Sequence, residues 1–259
     1  MTCGPSCYTP RMKTILVCNW KMNPPNWKSA KKLFEETKKA AQKAKNVSVV
    51  VAPPSIYLRD IAKLNIRGSI PLAIQGALHE EGGAHTGEIS LTQAADSRAT
   101  YAIIGHAERR ARGESDADIN KQVLAALAYK MTPVLCVGEK TRSMQGEYFE
   151  TVRAQVKGAL SSVPQNRIAH VMIAYEPVWA IGASQPMQPR DMHEMGIFVR
   201  KVIVQGWGDV GHAVTILYGG AIDSTNAALM RDEGDVRGFL VGRASAETDK
   251  VKSLIQSLA

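Results

Sequence analysis

The chain reads His170-Val-Met-Ile-Ala-Tyr175 and continues Glu176-Pro-Val-Trp-Ala-Ile-Gly182, so a short apolar run is followed at once by a carboxylate, a proline and a glycine. An unbroken apolar run of this length is typical of a parallel strand that is buried on both faces. Runs of the same kind recur along the chain, and most are followed by polar or glycine-rich residues. The predicted strands are Thr14–Cys18, Ser48–Ala52, Leu72–Gln75, Tyr101–Ile104, Pro133–Val137, His170–Tyr175, Ala213–Leu217 and Gly238–Val241.

Amphipathic stretches separate these runs. Apolar residues recur at i, i+3, i+4 and i+7 from Val251 to Leu258 and from Met192 to Val199, and a similar stripe lies among the lysines of Lys28–Lys45. This spacing predicts helices with one buried face, and it places the methionines in the core. The strand–helix alternation excludes all-α and all-β proteins. A doubly wound open sheet and a (β/α)8 barrel both fit, and eight units of about 31 residues each favour the barrel.

Length and composition agree with a single domain of the α/β class. The chain has 259 residues, of which 45% are apolar and 22% charged, so intrinsic disorder is excluded. A barrel of eight parallel strands with an outer ring of helices uses about 250 residues. No linker interrupts residues 12–259, which we expect to form one catalytic domain. Residues 1–11 contain Pro5 and Pro10 without periodicity, and they predict a flexible extension.

The charge balance and the cysteines bear on the kind of partner and on the cellular compartment. The net charge of +8 suits an anionic partner, either a phosphorylated metabolite or a nucleic acid, but the charge by itself favours a solvated basic surface. The four cysteines show no zinc-binding spacing and predict reduced thiols. No apolar run approaches the roughly 18 residues of a membrane span, and no signal peptide opens the chain. We therefore expect a cytoplasmic protein with no membrane partner and no metal.

The residues that follow the strands are the candidates for chemistry, because the loops after parallel barrel strands form the active face. Glu176 follows a buried strand, and partial desolvation would raise its pKa and make it a competent base. A carboxylate that only bonds a loop backbone is the alternative. His106 opens a short helical turn, Ala107–Arg110, where the helix N-terminus favours a neutral imidazole. A purely structural histidine fits that position equally.

Other residues that follow the predicted strands give weaker evidence of a role in the site. Lys21 would supply positive charge for a phosphate or an oxyanion, and Glu108 would pair with Lys21 and orient it. Each is otherwise a solvated surface charge. Loop glycines allow backbone N–H groups to approach an anion, although any tight turn uses glycine. The glycines concerned are Gly182, Gly219, Gly220 and Gly242.

Six ordered segments resemble the triosephosphate isomerase family over residues 13–259. They are Asn19–Asn23, Thr86–Ser90, Ile104–Arg110, Cys136–Glu139, Ala174–Gly182 and Tyr218–Gly220. The resemblance implies the TIM-barrel fold and the interconversion of dihydroxyacetone phosphate and glyceraldehyde 3-phosphate through an enediolate. In it, Glu176 is the base, neutral His106 polarises the carbonyl, and Lys21 and Asn19 stabilise the developing charge. No cofactor is implied.

The resemblance also implies a lid, a phosphate site and a dimer. The phosphate would bind the backbone N–H groups of Gly182, Ala221, Gly242 and Arg243, and Tyr218 would act as a latch for the lid. The loop that contains Thr86 would insert into a partner subunit beside Lys21, which predicts a homodimer. The lid would comprise Pro177, Val178, Trp179, Ala180, Ile181, Ala183, Ser184, Gln185 and Pro186 together with Gly182.

The sequence departs from the family around the phosphate and the lid. Residues 183–186 replace the usual Thr-Gly-Lys, Ala221 replaces a serine, and Arg243 replaces the second glycine of a pair. The Arg243 guanidinium would either add a charge beside the phosphate or point to solvent. An isomerase for a four-carbon ketose phosphate is therefore kept as an alternative. A nucleic-acid-binding barrel is disfavoured, because aromatic and basic residues are not interleaved.

Overall fold

Eight parallel strands form the centre of the computed structural model, which describes residues 13–143, 145–180 and 187–259. Each strand pairs with the next, and the last pairs with the first, so that the sheet closes into a barrel. The predicted (β/α)8 barrel is confirmed. The strands are β1 Thr14–Asn19, β2 Val47–Ala52, β3 Leu72–Ile74, β4 Ala99–Ile104, β5 Thr132–Val137, β6 Met172–Tyr175, β7 Thr215–Tyr218 and β8 Gly238–Val241.

Helices connect the strands and surround the barrel. Single 3₁₀ turns occur at Ile66–Gly68, Gln165–His170, Val178–Ala180, Gly208–Ala213 and Arg243–Ala246. The α-helices of the described ranges are α1 Trp27–Lys43, α2 Ser55–Leu64, α3 Leu91–Asp96, α4 Ala107–Arg110, α5 Asp116–Ala128, α6 Glu147–Leu160, α7 Pro189–Trp207, α8 Ala227–Glu233 and α9 Thr248–Ser257.

Five predicted strand starts differ from the structure. The starts at Ser48, Tyr101 and Pro133 were one or two residues late, and those at His170 and Ala213 were two residues early. His170 and Ala213 each end a 3₁₀ turn, so β6 begins at Met172 and β7 at Thr215. The chain makes these turns as it comes back from a helix to the foot of the barrel. Val171 and Val214 follow these turns directly and are buried like strand residues, so hydrophobicity alone cannot mark where each strand begins.

The barrel has two apolar layers, which explains why the strand sequences are apolar throughout. Alternate side chains such as Val17, Val50 and Leu217 pack together inside the barrel, while Leu16 and Cys18 belong to the layer under the helices. A parallel strand between these layers has no face in water. Side chains can therefore fill the barrel, and the only polar surface near its axis lies where the strands end.

The helical stripes face the barrel as predicted. Val251, Leu254 and Ile255 of α9 are fully buried, and so are Met192 and Met195 of α7. The methionines are thus part of the core. Each surrounding helix stabilises the barrel chiefly through this face, since burial of one large apolar side chain contributes about 1.5–3 kcal/mol.

Several expectations about the termini and the cysteines can be compared with the structure only in part. The predicted extension over residues 1–11 lies outside the described residues, as do Cys3 and Cys7. Cys18 and Cys136 are free, buried thiols. Across the described ranges, no helix has both the length and the apolar character needed to cross a bilayer.

Candidate active site

The carboxyl ends of the strands surround a cavity of about 850 Å³. Asn19, Lys21, His106 and Glu176 all line it, although they come from the ends of β1, β4 and β6. The structure thus brings together four residues that are up to 157 positions apart in the chain. The loops after β7 and β8 form the opposite wall.

Lys21 is held in an unusual backbone conformation. Its φ is 52°, which is uncommon for a residue with a side chain. Asn19 Oδ1 accepts from the Lys21 amide at 3.0 Å, and Gln75 Nε2 donates to the Lys21 carbonyl at 2.9 Å. Left-handed backbone costs about 1–2 kcal/mol per residue, so it persists because these bonds over-determine it. The result is a lysine aimed from β1 across the cavity mouth.

Glu108 is the ionic partner of Lys21. Lys21 Nζ lies 2.5 Å from Glu108 Oε1, and the two side chains are 35% and 57% exposed. Although partial burial opposes it, the hydrogen bond and the charge of Lys21 lower the pKa of Glu108. An ion pair this exposed contributes only about 0–1 kcal/mol to stability, so its main effect is to orient the ammonium group.

His106 is positioned by the turn it opens. It precedes α4, and its Nδ1 accepts a hydrogen bond from the Glu108 amide at 3.2 Å. A ring nitrogen that accepts carries no proton, which assigns a neutral imidazole with its hydrogen on Nε2. That Nε2 lies 3.1 Å from Glu176 Oε1. The imidazole is 7% exposed and presents its donor to the cavity.

Glu176 is a buried carboxylate, with only 3% of its surface exposed. Its Oε2 accepts from the Ala107 amide at 3.0 Å, while Oε1 lies 3.1 Å from His106 Nε2. Burial raises the pKa of Glu176, and the opposing effects of His106, the Ala107 amide and Lys21 do not cancel it. A carboxylate with a raised pKa is a stronger base than an ordinary one and is suited to proton abstraction.

Tight packing around β5 fixes the backbone of Glu176. The Glu176 amide donates to the Val137 carbonyl at 2.8 Å, and a methyl group at Gly138 would collide with the Glu176 carbonyl oxygen. Only glycine permits this approach of two strand ends. The Cys136 thiol is fully buried, and its burial and the nearby charge of Glu176 both raise its pKa.

The start of the predicted lid is anchored to β5. Pro177 follows Glu176, and Val178–Ala180 form a 3₁₀ turn in which Ala180 is buried. Trp179 Nε1 donates to Glu139 Oε1 at 2.8 Å, and the Tyr175 hydroxyl donates to the same carboxylate. The remaining predicted lid residues lie outside the described residues, as does the phosphate ligand Gly182. These are Ile181, Ala183, Ser184, Gln185 and Pro186.

The other predicted phosphate ligands line the cavity wall formed by β7 and β8. Ala221, Gly242 and Arg243 all lie there. The backbone of Arg243 is not left-handed, so a side chain is accommodated at this position without strain. The Tyr218 hydroxyl is buried and has no hydrogen-bond partner within the described residues.

Thr86 lies apart from the cavity. It is exposed, in a loop that leaves the barrel after β3. The structure therefore does not bring Thr86 to Lys21 of the same chain, and a contact between them requires a second subunit.

Sequence reasoning missed three supporting residues. Gln75 bonds the Lys21 carbonyl, Glu139 bonds Tyr175 and Trp179, and Arg110 spans from the Gly105 carbonyl to Asp116. Gln75 and Glu139 each follow a buried strand closely, and the rule that identified Glu176 would have selected them too. Arg110 ends the segment Ile104–Arg110 that resembles the family, but the sequence does not indicate its partners, which are backbone carbonyls and a residue of the next helix.

The geometry defines a class of protein. No group of three or more His, Cys, Asp or Glu side chains is placed to hold a metal ion within the described ranges. A buried carboxylate with a raised pKa, a neutral imidazole and an ammonium group share one small cavity of a (β/α)8 barrel. These are the groups of an enzyme that moves protons within one substrate, as an aldose–ketose isomerase does.

Comparisons with known proteins identify the family. A sequence profile of the triosephosphate isomerase family matches residues 14–258. The triosephosphate isomerase of Endomicrobium trichonymphae is 35% identical over 94% of this chain and 98% of its own. That of a Roseiflexus species is 38% identical over 94% and 97%, and that of Porphyromonas gingivalis 37% over 95% and 99%. The chain belongs to the triosephosphate isomerase family.

The predicted family and the predicted isomerase class are therefore confirmed. None of the relatives' names supports the four-carbon alternative.

Proposed function

We propose that this chain interconverts dihydroxyacetone phosphate and D-glyceraldehyde 3-phosphate, a step of glycolysis and gluconeogenesis. The convergence of Glu176, His106 and Lys21 on one cavity is the observation that carries this proposal. The family relationship supports the triose as substrate.

Glu176 begins the reaction by removing a proton from the carbon beside the carbonyl. The C–H electron pair forms the C=C bond of an enediolate, and the carbonyl π electrons move to oxygen. Glu176 then returns the proton to the neighbouring carbon, which was the carbonyl carbon, and the carbonyl re-forms one position along. Burial of Glu176 keeps its pKa high and excludes competing water, so the carboxylate is an effective base.

The other groups stabilise the negative charge that develops on oxygen. His106 Nε2, which lies 3.1 Å from Glu176 Oε1, would donate to the substrate oxygens and exchange protons between them. Lys21 supplies positive charge, and Glu108 orients it. Asn19 Oδ1 is occupied by the Lys21 amide, so its NH₂ group is the part available to substrate. Donors set in place before the reaction typically contribute the largest share of catalysis.

The phosphate would bind main-chain amides of the final loops. Ala221, Gly242 and Arg243 line the β7–β8 wall and would offer their backbone N–H groups, and Gly182 would complete the set from the lid side. The lid would exclude water, and the buried Tyr218 hydroxyl is available to latch it.

A homodimer is part of the proposal. Met22, next to Lys21, is 92% exposed in the single chain, and Thr86 is exposed in its loop. An apolar side chain left in water beside a proposed catalytic residue would be covered if the Thr86 loop of a second subunit packed there. We propose residues 12–259 as the catalytic domain, residues 1–11 as a flexible extension, and the cytoplasm as the location.

The direct test is the isomerase assay with glyceraldehyde 3-phosphate and the Glu176→Gln variant. The substitution keeps the size and polarity of the side chain but removes the base, so kcat should fall at least about 10²-fold. KM should change little. In the wild type, kcat/KM should rise with pH through a value above 4.5, because burial raises the pKa of the carboxylate that must be ionised.

Two results would contradict the proposal. A mild loss of turnover in Glu176→Gln would remove Glu176 as the base. A higher kcat/KM for a four-carbon ketose phosphate than for the triose would replace the proposed substrate.

A further inference from the structure

Arg243 stands in the wall of the active-site cavity. It is the first residue after Gly242 and opens the 3₁₀ turn Arg243–Ala246 that follows β8. Its side chain is exposed and makes no hydrogen bond or ion pair with any described residue. A guanidinium can make up to five hydrogen bonds, so one that is unused beside a polar cavity is available to a ligand.

The other long cations of the cavity differ from Arg243 in being paired. Lys21 bonds Glu108 at 2.5 Å, and Lys250 bonds Glu247 at 2.8 Å. Among the described lysines and arginines that line the cavity, Arg243 is thus the one with no acidic partner. Its charge is therefore available to an anion that enters the cavity.

Gly242 lies close to both positively charged residues, Lys21 and Arg243. A Cβ at Gly242 would lie 3.1 Å from Lys21 Cε, so the lysine side chain passes directly over this residue. Arg243 follows it without backbone strain, since its φ is not positive. An anion held by the amides near Gly242 would have Lys21 on one side and the root of the Arg243 side chain on the other.

We propose that the Arg243 side chain is a specificity-determining contact that binds the phosphate of the substrate by a charge-assisted hydrogen bond. The inference rests on the proposed function, because it assumes that the anion is a phosphorylated sugar. A phosphate dianion matches the planar fork of a guanidinium better than it matches a single ammonium. The contact is remote from the reacting carbons, so it acts equally on substrate and transition state. It strengthens binding without changing the chemical step.

The test compares Arg243→Gln, Arg243→Lys and Arg243→Gly with the wild type. With glyceraldehyde 3-phosphate, KM should rise about three- to tenfold in Arg243→Gln and Arg243→Gly, the loss expected for one partly exposed charge-assisted contact, while kcat stays within about twofold. Arg243→Lys should fall between these variants and the wild type. With glyceraldehyde, which has no phosphate, kcat/KM should be the same for all four proteins. A structural role for Arg243 would affect both substrates.

Inorganic phosphate provides a measurement that does not depend on turnover. Its dissociation constant, measured by calorimetric titration, should rise in Arg243→Gln by a factor similar to that of KM, with a weaker dependence on salt. Lys201→Gln is the matched control, because Lys201 is exposed on α7 and its loss changes the net charge equally.

The outcomes separate the two proposals. Equal KM and equal phosphate affinity in Arg243→Gln and the wild type would overturn the role of Arg243. An equal loss in Lys201→Gln would assign the effect to net charge and overturn it as well. If the wild type binds phosphate through Arg243 but does not isomerise the triose, the contact stands and the proposed function fails.

Discussion

Glu176 shows how the demands of folding and of the site oppose each other at a single residue. The fold places a carboxylate where 3% of its surface is exposed, with one backbone amide as a hydrogen-bond donor and an imidazole nitrogen 3.1 Å away. Burial disfavours the charged form and raises the pKa. The folded protein therefore holds the Glu176 proton more tightly than the unfolded chain does.

This raised pKa makes a prediction about stability and pH. As pH rises from below 4.5 to neutral, the ionised carboxylate must stay buried, so Glu176 lowers the free energy of unfolding progressively. Glu176→Gln removes this effect. Relative to the wild type, the variant should gain about 1.4 kcal/mol between acid and neutral pH for each unit by which the pKa is raised. Urea unfolding at both pH values measures the change.

The control for this prediction is Glu35→Gln, which alters an exposed carboxylate on α1. Its stability relative to the wild type should vary less with pH than that of Glu176→Gln. A parallel pH dependence of the two variants would contradict the assignment of the effect to burial.

At the scale of elements, the side chain of Arg110 holds the segment between β4 and α5 in place. Arg110 donates from Nε to the Gly105 carbonyl at 2.9 Å and from a terminal nitrogen to the Cys136 carbonyl at 3.3 Å. Its other terminal nitrogen lies 2.6 Å from Asp116 Oδ1. One side chain thus joins the end of β4, the end of β5 and the start of α5, and it holds the turn that carries His106.

Replacing Arg110 by lysine should loosen this unit although the charge is kept. An ammonium group cannot reach three acceptors that are arranged around a planar guanidinium. We expect a loss of about 1–3 kcal/mol in the free energy of unfolding, because buried carbonyls lose their donors. A fall in kcat should accompany it as His106 becomes less fixed. Urea denaturation and the isomerase assay measure the two effects.

Arg112→Lys, at an exposed position of the same segment, is the control and should leave both quantities near wild type. If Arg110→Lys had wild-type stability and kcat, the turn that carries His106 would keep its shape without the Arg110 bonds.

For the whole molecule, the proposed homodimer rests on two exposed features of the single chain. Met22 is almost fully exposed beside Lys21, whose backbone is strained, and the Thr86 loop leaves the barrel after β3. In the proposed homodimer these features cover each other, and the second subunit would help to hold Lys21 in its left-handed conformation. Dimerisation and activity would then be linked.

Met22→Glu tests this link, because a buried charge without a partner opposes association. We expect the variant to sediment as a monomer at concentrations where the wild type is a dimer, with a reduced kcat. Ile197→Glu, a similar change on the exposed face of α7, should leave both unaffected. A dimeric and fully active Met22→Glu protein would place the interface elsewhere.

The alternation of apolar runs and amphipathic stretches determined the barrel, since strands buried on both faces and helices buried on one leave distinct periodicities. The positions directly after the strands made Glu176, His106 and Lys21 candidates, and the family resemblance added Asn19 and implied a role for each of the four. The tertiary structure determined the properties that depend on contacts between residues far apart in the chain. It set the neutral form of the imidazole, which depends on the Glu108 amide, and the raised pKa of Glu176, which depends on complete burial. Closure of the barrel brings β8 beside β1, and this places Arg243 near Lys21 at the cavity wall. No described acidic residue pairs with Arg243 there.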